Sequence, residues 1–204
     1  MKIGLLGGTF DPPHFGHLRL AAAARRALGL DEVWLVPAGQ PWRKRGRPVA
    51  APEHRLRMAR LAGRGRACLR VWDTEVRRVG PTYTADTLAE LRALRPDAEI
   101  CFIMGEDALA DVSNWYHPER IVALATLVVA HRSGLRRTAV PEGARIAWVA
   151  MRETPVSSTD VRRRLAAGEA VRGMIPAAVE RYIRRHHLYG ARREPLPAVA
   201  QAAP

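Results

Sequence analysis

Lys2-Ile3-Gly4-Leu5-Leu6-Gly7-Gly8-Thr9-Phe10-Asp11-Pro12-Pro13-His14-Phe15-Gly16-His17 is the stretch that decides how the rest of the chain is read. Lys2 to Leu6 has the apolar run of a short buried strand, and Gly7 and Gly8 break it. Leu18 to Leu28 is rich in Ala, Leu and Arg and stops at Gly29, so a helix follows the turn. Two glycines let the backbone approach a phosphate closely, while the coming helix aims unpaired N–H groups at it. Gly7, Gly8, Thr9 and Phe10 are therefore candidate phosphate-binding residues. His14 and His17 stand three apart; if the helix begins there they share a face, and their imidazole donors converge on one phosphate group. A single histidine in that place reads as an ordinary first-turn residue, but the pair beside Gly-Gly points to phosphoryl chemistry.

Outward from this turn, strands and helices alternate. Glu32 to Val36 reads as a second strand, Pro37 to Pro52 as a loop, Glu53 to Leu61 as a helix and Ala67 to Val76 as a third strand. Thr84 is the expected N-cap of a helix from Ala85 to Leu94, with Leu88 and Leu91 on one face and Pro96 beyond its end. Glu99 to Met104 is a fourth strand; Glu119 to Leu124 is helical; Thr126 to His131 and Arg145 to Val149 are strands; helices start at Ser158 and Pro176. This order predicts an α/β fold, a Rossmann-like doubly wound parallel sheet with helices on both faces. Ligands of such sheets sit beyond the carboxyl ends of the strands, at a switch in strand order. Residues 1–190 are expected to form one domain, and 191–204, mostly Ala, Pro and Arg, a disordered tail.

Composition excludes several classes. The 204 residues are 48% hydrophobic and 26% charged, ordinary for a globular domain. No apolar run is long enough to span a bilayer and no basic-then-apolar leader opens the chain, so a cytoplasmic protein is expected. Cys68 and Cys101 lie far apart in apolar stretches, which predicts buried thiols and neither a disulfide framework nor a zinc site. Thirty-three Lys and Arg against twenty Asp and Glu give +13, a field that draws anions such as nucleotides or nucleic acid.

The glycine turn is neither a Walker loop nor a three-glycine dinucleotide fingerprint. It resembles the nucleotidyltransferase signature T/H-x-G-H. Val156-Ser157-Ser158-Thr159-Asp160-Val161-Arg162 resembles the serine-rich motif that the same superfamily places at the start of a late helix. A Ser or Thr caps such a helix and Arg162 follows about one turn in, offering hydroxyl, amides and guanidinium to the outer phosphates of ATP. With both motifs in one chain, the resemblance narrows to the bacterial nicotinate-nucleotide adenylyltransferase family. It extends from Lys2 to Tyr189 and includes Pro41-Trp42-Arg43-Lys44, Gly80-Pro81-Thr82-Tyr83-Thr84-Ala85-Asp86-Thr87-Leu88, Gly105-Glu106-Asp107-Ala108-Leu109, Tyr182-Ile183 and Leu188-Tyr189.

That resemblance implies a fold of nucleotidyltransferase type. It gives His14 and His17 the phosphates, with Arg162 as their catalytic partner and Ser157, Ser158 and Thr159 beside them, and sets Lys44 near the same anions. Gly105 and Asp107 would hold a nucleotide, Asp107 through ribose hydroxyls, and Trp115 would stack on the pyridine ring. Glu106 departs from the small residue usual before the aspartate, and Val156 from the commoner isoleucine. The residues add their own hint about the acceptor: a helix start at Thr84 turns the backbone N–H groups of Thr82, Tyr83, Thr84 and Ala85 toward an anion, which suits a pyridine carboxylate. A carboxamide would set its NH2 against a donor, a mismatch of about 1–3 kcal/mol.

The implied reaction is attack by nicotinate mononucleotide on the α-phosphorus of ATP, giving deamido-NAD and pyrophosphate, with Mg2+ carried in on the ATP phosphates and no protein metal site. Two rivals stay open. An enzyme with another acceptor, such as nicotinamide mononucleotide or phosphopantetheine, would share both motifs. A nucleic-acid-binding protein would use the positive charge, but the arginines are scattered and no RNA-binding motif is present, so ATP and nicotinate mononucleotide are the expected partners. Neither nucleic acid nor membrane is expected as a partner, and a homo-oligomer stays open.

Overall fold

A computed structural model describes residues 1–40, 50–131, 140–151 and 155–191. Six strands form the frame: β1 Lys2–Gly8, β2 Glu32–Pro37, β3 Leu69–Val71, β4 Glu99–Gly105, β5 Thr126–His131 and β6 Ile146–Ala150. Their order across the sheet is β3-β2-β1-β4-β5-β6, and every pairing is parallel. The chain winds outward from β1 in one direction through β2 and β3, then crosses back to β4 and continues the other way. The order therefore reverses between β1 and β4, where a doubly wound sheet opens a crevice.

Eight α-helices accompany the strands among the described residues: α1 Phe15–Leu28, α2 Pro52–Gly63, α3 Thr74–Arg77, α4 Thr84–Leu94, α5 Glu106–Leu109, α6 Pro118–Leu124, α7 Ser158–Ala166 and α8 Ala177–Arg185. Strand side chains alternate between faces. Ile3, Leu5, Ile100 and Phe102 pack against Leu88 and Leu91 of α4 and Ile121 of α6. Leu6, Cys101 and Ile103 pack with Ala21 and Ala24 of α1 on the opposite face. A third cluster joins α2, α7 and α8 through Met58, Ala62, Val161, Leu165, Val179 and Ile183, with Leu18 of α1, and the partly buried Leu69 packs against both it and the second. No described helix is long and apolar enough to cross a membrane.

Four sequence expectations shift. The third strand spans only Leu69–Val71, because the chain then turns into α3. That turn is captured by contacts made elsewhere: Thr74 donates its hydroxyl proton to Glu90, and Arg78 pairs with Glu90 at 2.7 Å. Thr84 is the first residue of α4 and Tyr83 its N-cap, without a side-chain cap. Cys101 is buried as expected, whereas Cys68 is only half-buried. Ala191, assigned to the tail, is 2% exposed and packs in the third cluster; the remainder of the expected tail lies outside the described residues.

Candidate active site

β1 delivers Gly7 and Gly8 to the switch in strand order, with Ala38 donating its N–H to Gly8 O at 2.9 Å. The chain then turns through Phe10, whose backbone is left-handed (φ 49°), and a cis Asp11–Pro12 peptide. Phe10, expected among the phosphate ligands, has its side chain buried. Its ring covers Gly8 and meets the His17 ring edge-on at 4.9 Å. His14 caps α1, and its N–H donates to His17 Nδ1 at 3.2 Å. An imidazole that accepts at Nδ1 carries its proton on Nε2, so His17 is set as an Nε2 donor. The two rings stack with centroids 3.8 Å apart. His14 is 9% exposed, and its Nδ1 is buried without a hydrogen bond. Burial lowers its pKa to about 4, so at neutral pH the ring is uncharged until an anion arrives.

These histidines open on a cleft lined also by Gly16 and Leu20 of α1, by Gly105 at the end of β4, by Glu106 and Asp107 at the start of α5, and by His131, the last residue of β5. Met151 and Val156 complete an apolar side suited to a nucleobase. The fold thus brings His14, His17, Gly105 and Asp107 to one place. The serine-rich motif is docked beside them. Ser157 caps α7, its Oγ accepting from Asp160 N at 3.1 Å; Ser158 Oγ donates to Pro12 O at 2.9 Å; Arg162 donates to Asp11 O at 2.8 Å and to Thr159 Oγ1 at 3.3 Å. The three hydroxyls therefore already hold structural partners, and the first turn of α7 is fastened to the loop that leads into α1.

The other flank of β1 carries the residues expected at the acceptor. A methyl on Gly39, next to Ala38, would stand 3.2 Å from Thr82 Cγ2, and Thr82 N–H donates to Gln40 O at 3.4 Å. That amide is thereby taken, and the donors left to an incoming anion are those of the uncapped first turn of α4, beginning at Thr84 and Ala85. Tyr83 stacks on Tyr116 with centroids 4.2 Å apart. Trp115 lies edge-on to Phe102 at 6.1 Å and donates its indole N–H to Asp111 at 3.1 Å. Phe102 also borders Gly7, so the pyridine end and the glycine turn share one wall. Lys44 lies outside the described residues.

The family model described as cytidylyltransferase-like matches residues 5–164. A protein of Thermomicrobium roseum named probable nicotinate-nucleotide adenylyltransferase is 41% identical over 205 residues, covering 97% of this chain and 96% of its own. One of the same name from Streptomyces coelicolor is 43% identical over 186 residues, covering 90% and 98%. The chain belongs to the nicotinate-nucleotide adenylyltransferase family. A solved Plasmodium falciparum nicotinic acid mononucleotide adenylyltransferase, complexed with NaAD, superposes with a TM-score of 0.77 at 20% identity, over 95% of this chain and 99% of that one, and so shares the fold.

In this adenylyltransferase-family chain two buried charged residues, Arg55 and Asp11, and a half-buried tyrosine, Tyr189, escaped the sequence reading. Arg55 is 1% exposed and donates to the carbonyls of Ala50 (2.9 Å), Thr9 (3.0 Å), Gly39 (2.7 Å) and Ala38, tying together the loops that follow β1 and β2. Burial lowers its pKa, against the pull of the Asp11 charge. Asp11 and Tyr189 meet behind the same loop at 2.6 Å. One signal was available: Arg55 stands in line with Met58, Ala59 and Ala62, the buried face of α2, where an unpaired arginine would not be tolerated.

Proposed function

We propose that this cleft joins ATP to nicotinate mononucleotide, making deamido-NAD and pyrophosphate. The observation that carries the reading is the stacked His14–His17 pair at the N-terminus of α1, opening on the cleft at the switch in strand order. Names and shared fold of the relatives support the same activity. The phosphate of nicotinate mononucleotide attacks the α-phosphorus in line; a new P–O bond forms as the bond from that phosphorus to the bridging oxygen of pyrophosphate breaks. The attacking phosphate is already an anion, so no general base is needed.

Catalysis is then a matter of holding two repelling anions in line and meeting the charge on the transferring group. His17 donates from Nε2, and His14 gains a proton more readily beside a triphosphate. Arg162 and the amides of α7 hold the leaving phosphates, and Lys44 is assigned to the same anions. Gly105 and Asp107 take the nucleotide, with Glu106 adding a second negative charge at that wall. Mg2+, carried in as MgATP, would neutralise part of the triphosphate charge. At the acceptor end the first-turn amides of α4 receive the pyridine carboxylate, beside Trp115 and the Tyr83–Tyr116 stack. Two water-borne nucleotides as substrates fit a cytoplasmic enzyme.

The test is pyrophosphate release from MgATP with nicotinate mononucleotide, nicotinamide mononucleotide or phosphopantetheine offered separately. Turnover should be strongest with the nicotinate acceptor, and His17→Ala should lower kcat at least about a hundredfold, the loss of one oxyanion donor. Turnover with a different acceptor alone would keep the ATP half of the reading and discard the acceptor half.

A further inference from the structure

Behind the cleft a buried carboxylate ties together three separate parts of the chain. Asp11 is 2% exposed, and its Oδ1 accepts from the Tyr189 hydroxyl at 2.6 Å and from Ala50 N–H at 3.1 Å. Its Oδ2 stands 3.8 Å from Arg162 Nη1, and that nitrogen donates to the Asp11 carbonyl instead. The ion pair is thus long and one-sided, although guanidinium and carboxylate ordinarily close into a two-pronged contact. Arg162 keeps 30% of its side chain exposed.

Tyr189 reaches Asp11 from a turn in which His187 and Tyr189 are both left-handed (φ 51° and 58°), a conformation that surroundings must impose on such residues. Its hydroxyl pKa is raised by burial and by the bond to Asp11, so it remains a donor across the working range. Arg55 also carries charge near Asp11, but four of its five N–H donors are committed to backbone carbonyls. If the Tyr189 hydroxyl were removed, the guanidinium already standing 3.8 Å from the Asp11 carboxylate is that of Arg162.

We infer that Tyr189 is a positioning residue for Arg162: by occupying Asp11 Oδ1, it keeps the carboxylate from drawing in the guanidinium and leaves that fork to the outer phosphates of ATP. The inference rests on the proposed role of Arg162 at those phosphates. Tyr189→Phe keeps the ring and removes only the hydroxyl. Expected is a fall in kcat/KM for ATP of about tenfold, one misplaced charge-assisted hydrogen bond, with KM for nicotinate mononucleotide unchanged.

The deciding comparison is the same substitution made in Arg162→Ala. No further loss there supports positioning through Arg162; an equal loss in both backgrounds overturns it as a merely structural effect. If Arg162→Ala alone leaves turnover unchanged, the role of Arg162 fails and the inference with it. If Tyr189→Phe does not fold, the double variant Asp11→Asn/Tyr189→Phe carries the test. Without the charge Arg162 is no longer drawn away, so kcat/KM for ATP should return to within about threefold of wild type; a persistent tenfold loss in a folded double variant would overturn the inference.

Discussion

Replacing Gly16 with alanine should separate activity from stability. Gly16 lies in the first turn of α1, and a methyl there would stand 2.8 Å from His14 Nδ1 and 2.9 Å from Cε1, with the Val156 carbonyl 3.6 Å away. Non-bonded heavy atoms settle at about 3.5 Å, so the His14 ring must retreat by roughly 0.7 Å. The helix cannot yield toward α7, where the Val156 contact is already close, and the ring is stacked on His17 at 3.8 Å. The displacement therefore passes into the histidine pair. A misplacement of about 1 Å at a reacting centre can cost a hundredfold, so a loss of roughly ten- to thirtyfold in kcat is expected. Strain of about 1 kcal/mol is offset by the better helix propensity of alanine, about 0.5–1 kcal/mol over glycine, so the melting temperature should hardly move. Steady-state pyrophosphate release and calorimetry measure the two quantities. A kcat within twofold of wild type at unchanged Tm would refute the reasoning, since the ring would then either have moved without consequence or not have moved.

Thr84→Pro tests the acceptor end: proline is tolerated as the first residue of a helix, and the extended Tyr83 before it (φ −119°, ψ 139°) suits it, so the backbone N–H is removed, with the Thr84 hydroxyl, while the helix start is kept; Thr84→Val, which removes the hydroxyl alone, is the control. The preference for nicotinate over nicotinamide mononucleotide, read as a ratio of kcat/KM, should shrink about tenfold; an unchanged ratio would remove that amide from the site. Gly39→Ala should be severe, because its methyl would lie 2.0 Å from the Glu75 carbonyl, a backbone atom that cannot swing aside. A loss of at least about 2 kcal/mol in denaturant unfolding is expected, and a variant as stable as wild type would show the two loops to be separable. For His14 the unfolded chain takes up a proton near the ordinary 6.5 and the folded chain only near about 4. Its contribution to stability is thus complete above pH 6.5 and lost as pH falls toward 4, up to about 3 kcal/mol. Unfolding midpoints measured across this range should converge for wild type and His14→Asn at the acid end, and parallel curves would contradict the shift.

The parallel sheet was legible because its signals are local. Apolar runs such as Ile3 to Leu6 and Leu127 to Ala130 mark central strands wherever they fall, and Gly7-Gly8 before a helix marks a turn at any distance from its ligand. The errors fell where distant contacts outweigh local pattern. Thr74 to Val76 has the composition of a strand but is turned into α3, where Glu90 holds Thr74 and Arg78. Thr84 looks like an N-cap, yet the cap is Tyr83, whose ring is held by Tyr116. His14 and His17 could be placed on one face from their spacing, whereas the fastening of the site reaches 46 positions from Arg55 to Thr9 and 178 from Tyr189 to Asp11 and leaves no periodic trace.

The bond between Asp11 and Tyr189 joins positions 178 apart, and Ser158 and Arg162 reach back to Pro12 and Asp11 across 146 and 151. A ribosome delivers the glycine turn and both histidines well ahead of the residues that fasten them. Until then Asp11 has no tyrosine to occupy it and the loop ahead of α1 has no helix to lean on. A nascent polypeptide thus carries its most recognisable motif long before the loop that bears it can be fastened in place.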